Sequence, residues 1–179
     1  MEKITLTKEM VLQTLQNNFG NIFSNIEEPY GILTATVTKD KIIDILTFLN
    51  KHEILQFQML TDLCAVHFPE RDKKFQIVYH VHSLSNNFRL RLKVDLDGDP
   101  PKIPTATIVY ATANWMERET YDFYGVIFEG HPNLKRILNI DDMVIFPMRK
   151  EYPLEDNTRT DKDDRMFGRE PNPLFKPLI

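Results

Sequence analysis

A chain of 179 residues and 21.1 kDa fits one domain, or one domain with an arm, and buries roughly 70% of the surface its unfolded form exposes. Apolar residues at 42% and charged residues at 27%, with 12 Phe and 6 Tyr, exclude a disordered or low-complexity protein. The net charge of -4 and the pI near 5.7 contain no basic excess, so nothing in the bulk balance announces nucleic-acid binding.

Cys64 is the only cysteine. The chain therefore cannot form an internal disulfide, nor alone supply the roughly four thiolates that an iron–sulfur cluster takes. No apolar run approaches the roughly 20 residues that cross a bilayer. Met1 to Met10 has neither the apolar core of a signal peptide nor the Arg and Ser of a transit peptide. A cytosolic, reducing compartment is compatible, and work at a membrane would be peripheral. The scattered glycines form neither G-x-G-x-x-G nor a P-loop.

In chain order, Thr7 is placed to cap a helix from Lys8 to Phe19, with Val11, Leu15 and Phe19 on one face and Gly20 as its stop. Gly31 to Val37 alternates as a half-exposed strand. Thr38 then caps a second helix that carries Ile42, Ile45, Leu46 and Leu49 on one side. Leu55 to Phe68 reads as extended, and Lys74 to Leu84 alternates Phe75, Ile77, Tyr79 and Val81. Phe88 to Leu96 sets Phe88, Leu90, Leu92, Val94 and Leu96 against Arg89, Arg91, Lys93 and Asp95. Ser85, Asn86 and Asn87 are turn formers at hairpin length, so the last two strands are expected to pair antiparallel, with the arginine face in water or on a partner. Pro100, Pro101 and Pro104 interrupt the sheet with a stiff connection.

Asn114 to Gly125 reads as a helix, with Asn114 and Glu117 as a capping box and Gly125 as a left-handed stop. A helical wheel places Glu119 among Trp115, Met116 and Phe123. A carboxylate buried there must find a cation or donors, or else take up a proton, and Arg149 or Arg136 is the expected partner. Beyond Gly130-His131-Pro132, Leu134, Ile137 and Leu138 outline a helical turn that carries Lys135 and Arg136 outward. From Pro147 the chain turns basic and aromatic, then charged and proline-rich. The expected architecture is α+β: a mixed or antiparallel sheet packed with helices over residues 1–154, and an extended C-terminal docking arm over 155–179.

Candidate chemistry is sparse. His80 and His82 share one strand face at the spacing of a metal pair, although two surface histidines on an amphipathic strand is the stronger reading. Cys64 lacks a placed base and reads as a small core hydrophobe. Glu117 and Glu119 diverge by about 200° on a helix and cannot share a substrate. Arg149 and Lys150 suit a phosphate or an acidic partner, although on residue type alone a solvated basic turn is the stronger reading.

The run from Glu117 to Leu138 (ERETYDFYGVIFEGHPNLKRIL), followed by Pro147 to Pro153 (PMRKEYP), closely resembles the signature of the 30 kDa (C-type) subunit family of the proton-pumping NADH:quinone oxidoreductase, respiratory complex I. One departure is that Ile145 stands where the family often has glycine, which bears on the local turn. The positions that carry the resemblance, and that it marks as the expected subunit interface, are Glu117, Arg118, Glu119, Tyr121, Asp122, Gly125, Phe128, Gly130, His131, Pro132, Leu134, Arg136, Ile137, Leu138, Pro147, Arg149, Lys150, Tyr152 and Pro153.

The resemblance implies an accessory peripheral-arm subunit that supports assembly of the electron-transfer and quinone-reduction module. It implies no catalytic, cofactor-binding or metal residue in this chain, the FMN, iron–sulfur clusters and quinone belonging to partner subunits. Its expected partners are the large quinone-cavity subunit and cluster-bearing subunits. It would sit peripherally on the cytoplasmic face of a bacterial inner membrane, or on the plastid stromal side. The rival hosts are a related membrane-bound hydrogenase or a plastid or cyanobacterial complex. The rival of another class is a metal enzyme built on His80 and His82.

Overall fold

The computed structural model, which describes residues 6–20 and 22–152, runs α1 (Lys8–Phe19), β1 (Ser24–Glu27), β2 (Leu33–Thr36), α2 (Ile42–Lys51), β3 (Met59–His67), β4 (Phe75–Ser83), β5 (Phe88–Leu96), β6 (Lys102–Pro104), α3 (Ala113–Tyr124) and β7 (Ile127–Glu129). The fold is α+β. A five-stranded mixed sheet has the order β1-β2-β5-β4-β3, and β6 and β7 form a second, parallel pair.

Helix α1 begins where its cap predicts, and both N-terminal helices pack by the faces that their periodicity predicts. The Thr7 hydroxyl accepts the Met10 N–H at 3.3 Å, and Gly20 closes α1 with φ +65°. Val11 and Leu15 of α1, and Ile42, Ile45, Leu46 and Leu49 of α2, bury against one sheet face made by Leu33, Ala35, Ile77, Tyr79, Leu90 and Leu92. A ten-residue helix such as α2 is marginal alone in water. Its four buried aliphatics, at about 1.5 to 3 kcal/mol each, are what hold it.

The expected hairpin is present: β4 and β5 pair antiparallel from Phe75 opposite Leu96 to Ser83 opposite Phe88. The sheet becomes mixed at β2, which runs parallel to β5 with Leu33 opposite Leu90 and Ala35 opposite Leu92. Helix α3 packs along β3 and so covers what would be an open sheet edge.

Four local expectations are corrected. β2 is buried on both faces, Thr34 and Thr36 included, because Lys93 of β5 reaches Glu27 of β1 at 2.8 Å across the strand between them. Thr38 makes no side-chain cap; a single 3-10 turn, Lys39–Lys41, precedes α2. The proline run also includes a strand, since Lys102–Pro104 pairs with Ile127–Glu129, Pro104 standing at the strand's end where a missing N–H is tolerated. Helix α3 begins at Ala113, with Asn114 already inside it and no capping box.

Candidate functional site

Helix α3 turns two carboxylates inward. Glu117 is fully buried: its Oε1 accepts the Ala106 N–H at 2.6 Å, and its Oε2 accepts the Thr105 hydroxyl at 2.5 Å. The chain leaving β6 is thereby fastened to α3. No cation pairs with Glu117 among the described residues, and burial pushes its pKa up to about 7 against those two hydrogen bonds. Burial, together with the same carboxylate, holds the Tyr79 phenol well above its ordinary pKa.

Asp122 has the opposite balance. Its Oδ2 accepts the N–H groups of Ile137, Leu138 and Asn139 at 3.0, 2.7 and 2.9 Å, while Oδ1 accepts from Arg136 Nη1 at 2.7 Å. Burial alone would raise its pKa; the backbone donors and the Arg136 guanidinium instead hold it well below the usual carboxylate range. Arg136 completes the knot by donating to the carbonyls of Asp122, Met143 and Ile145 at 2.9, 2.5 and 2.9 Å.

Residues 136–149 thus form a loop folded over an ion pair. The helical turn expected at Leu134 to Leu138 does not form, because Asp122 draws three successive N–H groups toward α3. For the same reason Arg136 points inward and is buried.

Three further signature residues tie this loop to the rest. Arg118 donates to the carbonyls of Lys135 and Arg136 at 3.2 and 3.1 Å, with Trp115 stacked 5.0 Å away. His131 Nδ1 accepts the Asn133 N–H at 3.0 Å, which leaves Nε2 to donate to the Asn114 carbonyl at 3.1 Å. Arg149 donates through Nε to the Tyr124 carbonyl at 2.8 Å and forks onto Asp99 at 3.1 and 3.3 Å. Beside it, His67 stacks on Phe75 and accepts the Lys150 N–H at 3.0 Å; burial lowers its pKa.

Gly125 ends α3 in the left-handed region, φ +75° and ψ 24°. A Cβ there would stand 2.6 Å from the Phe146 ring, so glycine both turns the chain and lets the loop close on the helix. Phe128 is buried, Tyr121 lies edge-on to Phe146, Leu134 packs on the core, and Gly130 turns at φ +84°. Ile137, Pro147 and Tyr152 are half-buried, while Glu119, Pro132, Leu138 and Lys150 are exposed. Pro153 and the proposed arm, 155–179, lie outside the described residues.

The expectation for Glu119 is overturned. It is exposed and pairs with no cation among the described residues; Arg149 and Arg136 answer Asp99 and Asp122 instead. The wheel assumed that its apolar arc faced inward, yet Trp115 is exposed. Helix α3 packs along β3 and also meets backbone N–H donors at Ala106 and at 137–139, so its inward face is the one with Glu117 and Asp122. Asp99 and Thr105 were not anticipated, because each meets its partner only across the fold, at separations of 50 and 12 residues.

The remaining candidates are brought to no common site. His80 Nε2 accepts from Arg91 Nε at 2.7 Å and its Nδ1 lies 3.3 Å from Asp62, so its polar atoms face neighbours on the sheet. No group of three or more His, Cys, Asp or Glu gathers at metal-binding distance among the described residues. Burial and the nearby Asp62 push the Cys64 thiol up to about 11, which leaves it protonated and weakly nucleophilic near neutrality.

Comparison with known proteins finds relatives of this α+β domain in sequence and in fold. The family model for the respiratory-chain NADH dehydrogenase 30 kDa subunit matches residues 35–158. A C-type subunit of NADH-quinone oxidoreductase from Rhizobium meliloti (strain 1021), the second of that type by its name, is 42% identical over 168 residues, covering 93% of this chain and 89% of the relative. The C-type subunit from Caulobacter vibrioides is 42% identical over 137 residues, covering 76% and 69%. Among solved structures, a trypsin-resistant fragment (1-134) of Nqo5 aligns at a TM-score of 0.60 and 25% identity, over 69% of this chain and 98% of the fragment. A chain of the membrane-bound sulfane sulfur reductase, an archaeal respiratory membrane complex, shares the fold at a TM-score of 0.71 and 23% identity, over 82% and 85%. The chain belongs to the complex I 30 kDa subunit family, the C-type subunits of NADH-quinone oxidoreductase.

Proposed function

We propose that this chain is an accessory, cofactor-free subunit of the peripheral arm of a proton-pumping NADH:quinone oxidoreductase, where it supports assembly of the electron-transfer and quinone-reduction module without itself reacting. The observation that carries the reading is the use of the signature charges. Asp122, Arg136, Arg118 and Arg149 bind the chain's own carbonyls, N–H groups and carboxylates, so they shape a framework and are not presented to a substrate. Electron transfer requires cofactors at fixed separations, and a rigid adaptor contributes by holding their carriers in place.

Its partners on this reading are the large quinone-cavity subunit and the cluster-bearing subunits, which hold the FMN, the iron–sulfur clusters and the quinone. The domain of residues 1–154 binds them through the exposed part of the signature, and the arm of 155–179 extends the contact. No helix among the described residues is long and apolar enough to cross a membrane, which suits attachment through the complex, on the cytoplasmic face of the inner membrane. Tagging the full chain in its native host and identifying what co-purifies tests the reading. NADH-binding flavoprotein and quinone-cavity neighbours are expected. Nickel-bearing neighbours would move the chain to a hydrogenase, and a solitary, zinc-loaded chain would overturn the proposal.

A further inference from the structure

The loop of residues 137–148 combines two properties that a purely structural loop does not need. It is rigid, being pinned from inside by the three N–H bonds to Asp122 and the two carbonyl bonds to Arg136, with a further turn closed from Met143 N–H to the Ile140 carbonyl at 3.2 Å. It is also apolar outside: Leu138, Ile140 and Val144 are 65%, 67% and 91% exposed. Trp115, 61% exposed, stands over Arg118, which holds the carbonyls at the loop's start. An isolated exposed leucine is unremarkable, whereas several apolar side chains on one pre-organised loop beside an exposed Trp have the composition of an interface centre.

We infer that this loop is the docking knob of the subunit, and that its occupant is an apolar cleft edged by lysine or arginine on a neighbouring subunit. The inference rests on the function proposed above and names the part of the signature that meets the partner. The charge pattern selects the occupant. Between residues 137 and 148 the only charged side chains are Asp141 and Asp142; both are exposed, and neither forms an ion pair among the described residues. A cationic rim would answer them and steer the encounter. A second copy fits poorly, because a two-fold contact centred on the loop would set the two aspartates against their own copies. The buried charges of the signature act from behind, since a loop held in its bound shape loses less freedom when it docks.

The test uses the full tagged chain in its host. Leu138→Asp with Val144→Asp should lower recovery of co-purifying subunits by roughly tenfold or more, with an unchanged thermal midpoint for the isolated chain. Asp141→Lys with Asp142→Lys should lower recovery several-fold at low salt, and the difference should shrink as salt rises. Full recovery by the Leu138/Val144 variant, alongside a wild type that recovers its partners, overturns the knob and leaves the proposed function standing. A clear fall in the isolated variant's midpoint overturns it as well, by showing that the loop is covered by its own chain. A wild-type dimer abolished by Val144→Asp overturns the choice of occupant. A wild type that recovers no partner removes the proposed function and the inference together.

Discussion

Glu117 and Asp122 sit five residues apart on α3, both fully buried, and carry opposite electrostatic burdens. Asp122 is surrounded by donors, one of them a guanidinium, and stays ionised. Among the described residues Glu117 has two hydrogen bonds and no cation, so burial wins and its pKa rises from 4.5 to about 7. The folded state therefore binds this proton more tightly than the unfolded chain does. The contribution is fully present below pH 4.5, declines as pH rises, and is lost above the folded value near 7. At about 1.4 kcal/mol per unit, the change amounts to about 3 kcal/mol as an order of magnitude. Glu117→Gln should remove it, since an amide keeps the acceptor for Ala106 N–H and has no charge to desolvate. Urea unfolding of both proteins at pH 5 and pH 8 is expected to show a smaller loss of stability with rising pH in the variant. Parallel losses would place the charge cost elsewhere.

At the scale of elements, the end of α3 is where sequence and packing meet most closely. Gly125 is needed twice, for φ +75° and for the absence of a Cβ against the Phe146 ring at 2.6 Å. The Phe146 ring is also packed by Arg136 and Arg149 at 5.0 and 4.9 Å, so it has little room to retreat. Gly125→Ala should cost more than the roughly 1 kcal/mol of a left-handed residue alone, and about 2 to 4 kcal/mol once the displaced ring is counted. Thermal denaturation of the variant measures it. A shift no larger than the backbone cost would mean that the ring relocates freely, and that the loop is less firmly seated than its hydrogen bonds imply.

At the scale of the whole molecule, the described residues already close a core between α1, α2 and one face of the sheet, with α3 along the β3 edge. The composition of 155–179, mostly charged and polar with Pro171, Pro173 and Pro177, favours a role on a partner over a second core. Deleting residues 160–179 should leave the thermal midpoint of the chain nearly unchanged while weakening recovery of partner subunits. A large drop in the midpoint would show that the arm packs on its own domain; unimpaired recovery would show that docking does not use it.

Periodicity together with capping, turn and glycine residues was enough to determine α1 from Thr7 to Gly20, the apolar face of α2, the β4–β5 hairpin and the left-handed stop at Gly125. Each depends on residues within a few positions of one another, where backbone preference and the 2.0 or 3.6 repeat dominate. The signature likewise pointed to its family without reference to a fold. What only the tertiary structure decided is which side of α3 faces inward, and hence the exchange of Glu119 for Glu117 and Asp122 as the buried carboxylates. It also decided the parallel pairing of β2 with β5 and of β6 with β7, the burial of Thr34 and Thr36, and the inward turn of Arg136. The physical reason is common to all of them. A helical wheel ranks side chains by hydrophobicity, but α3 also meets loops whose backbone N–H groups must be satisfied, and carboxylates that accept one of them at Glu117 and three at Asp122 are better placed inside than the exposed Trp115.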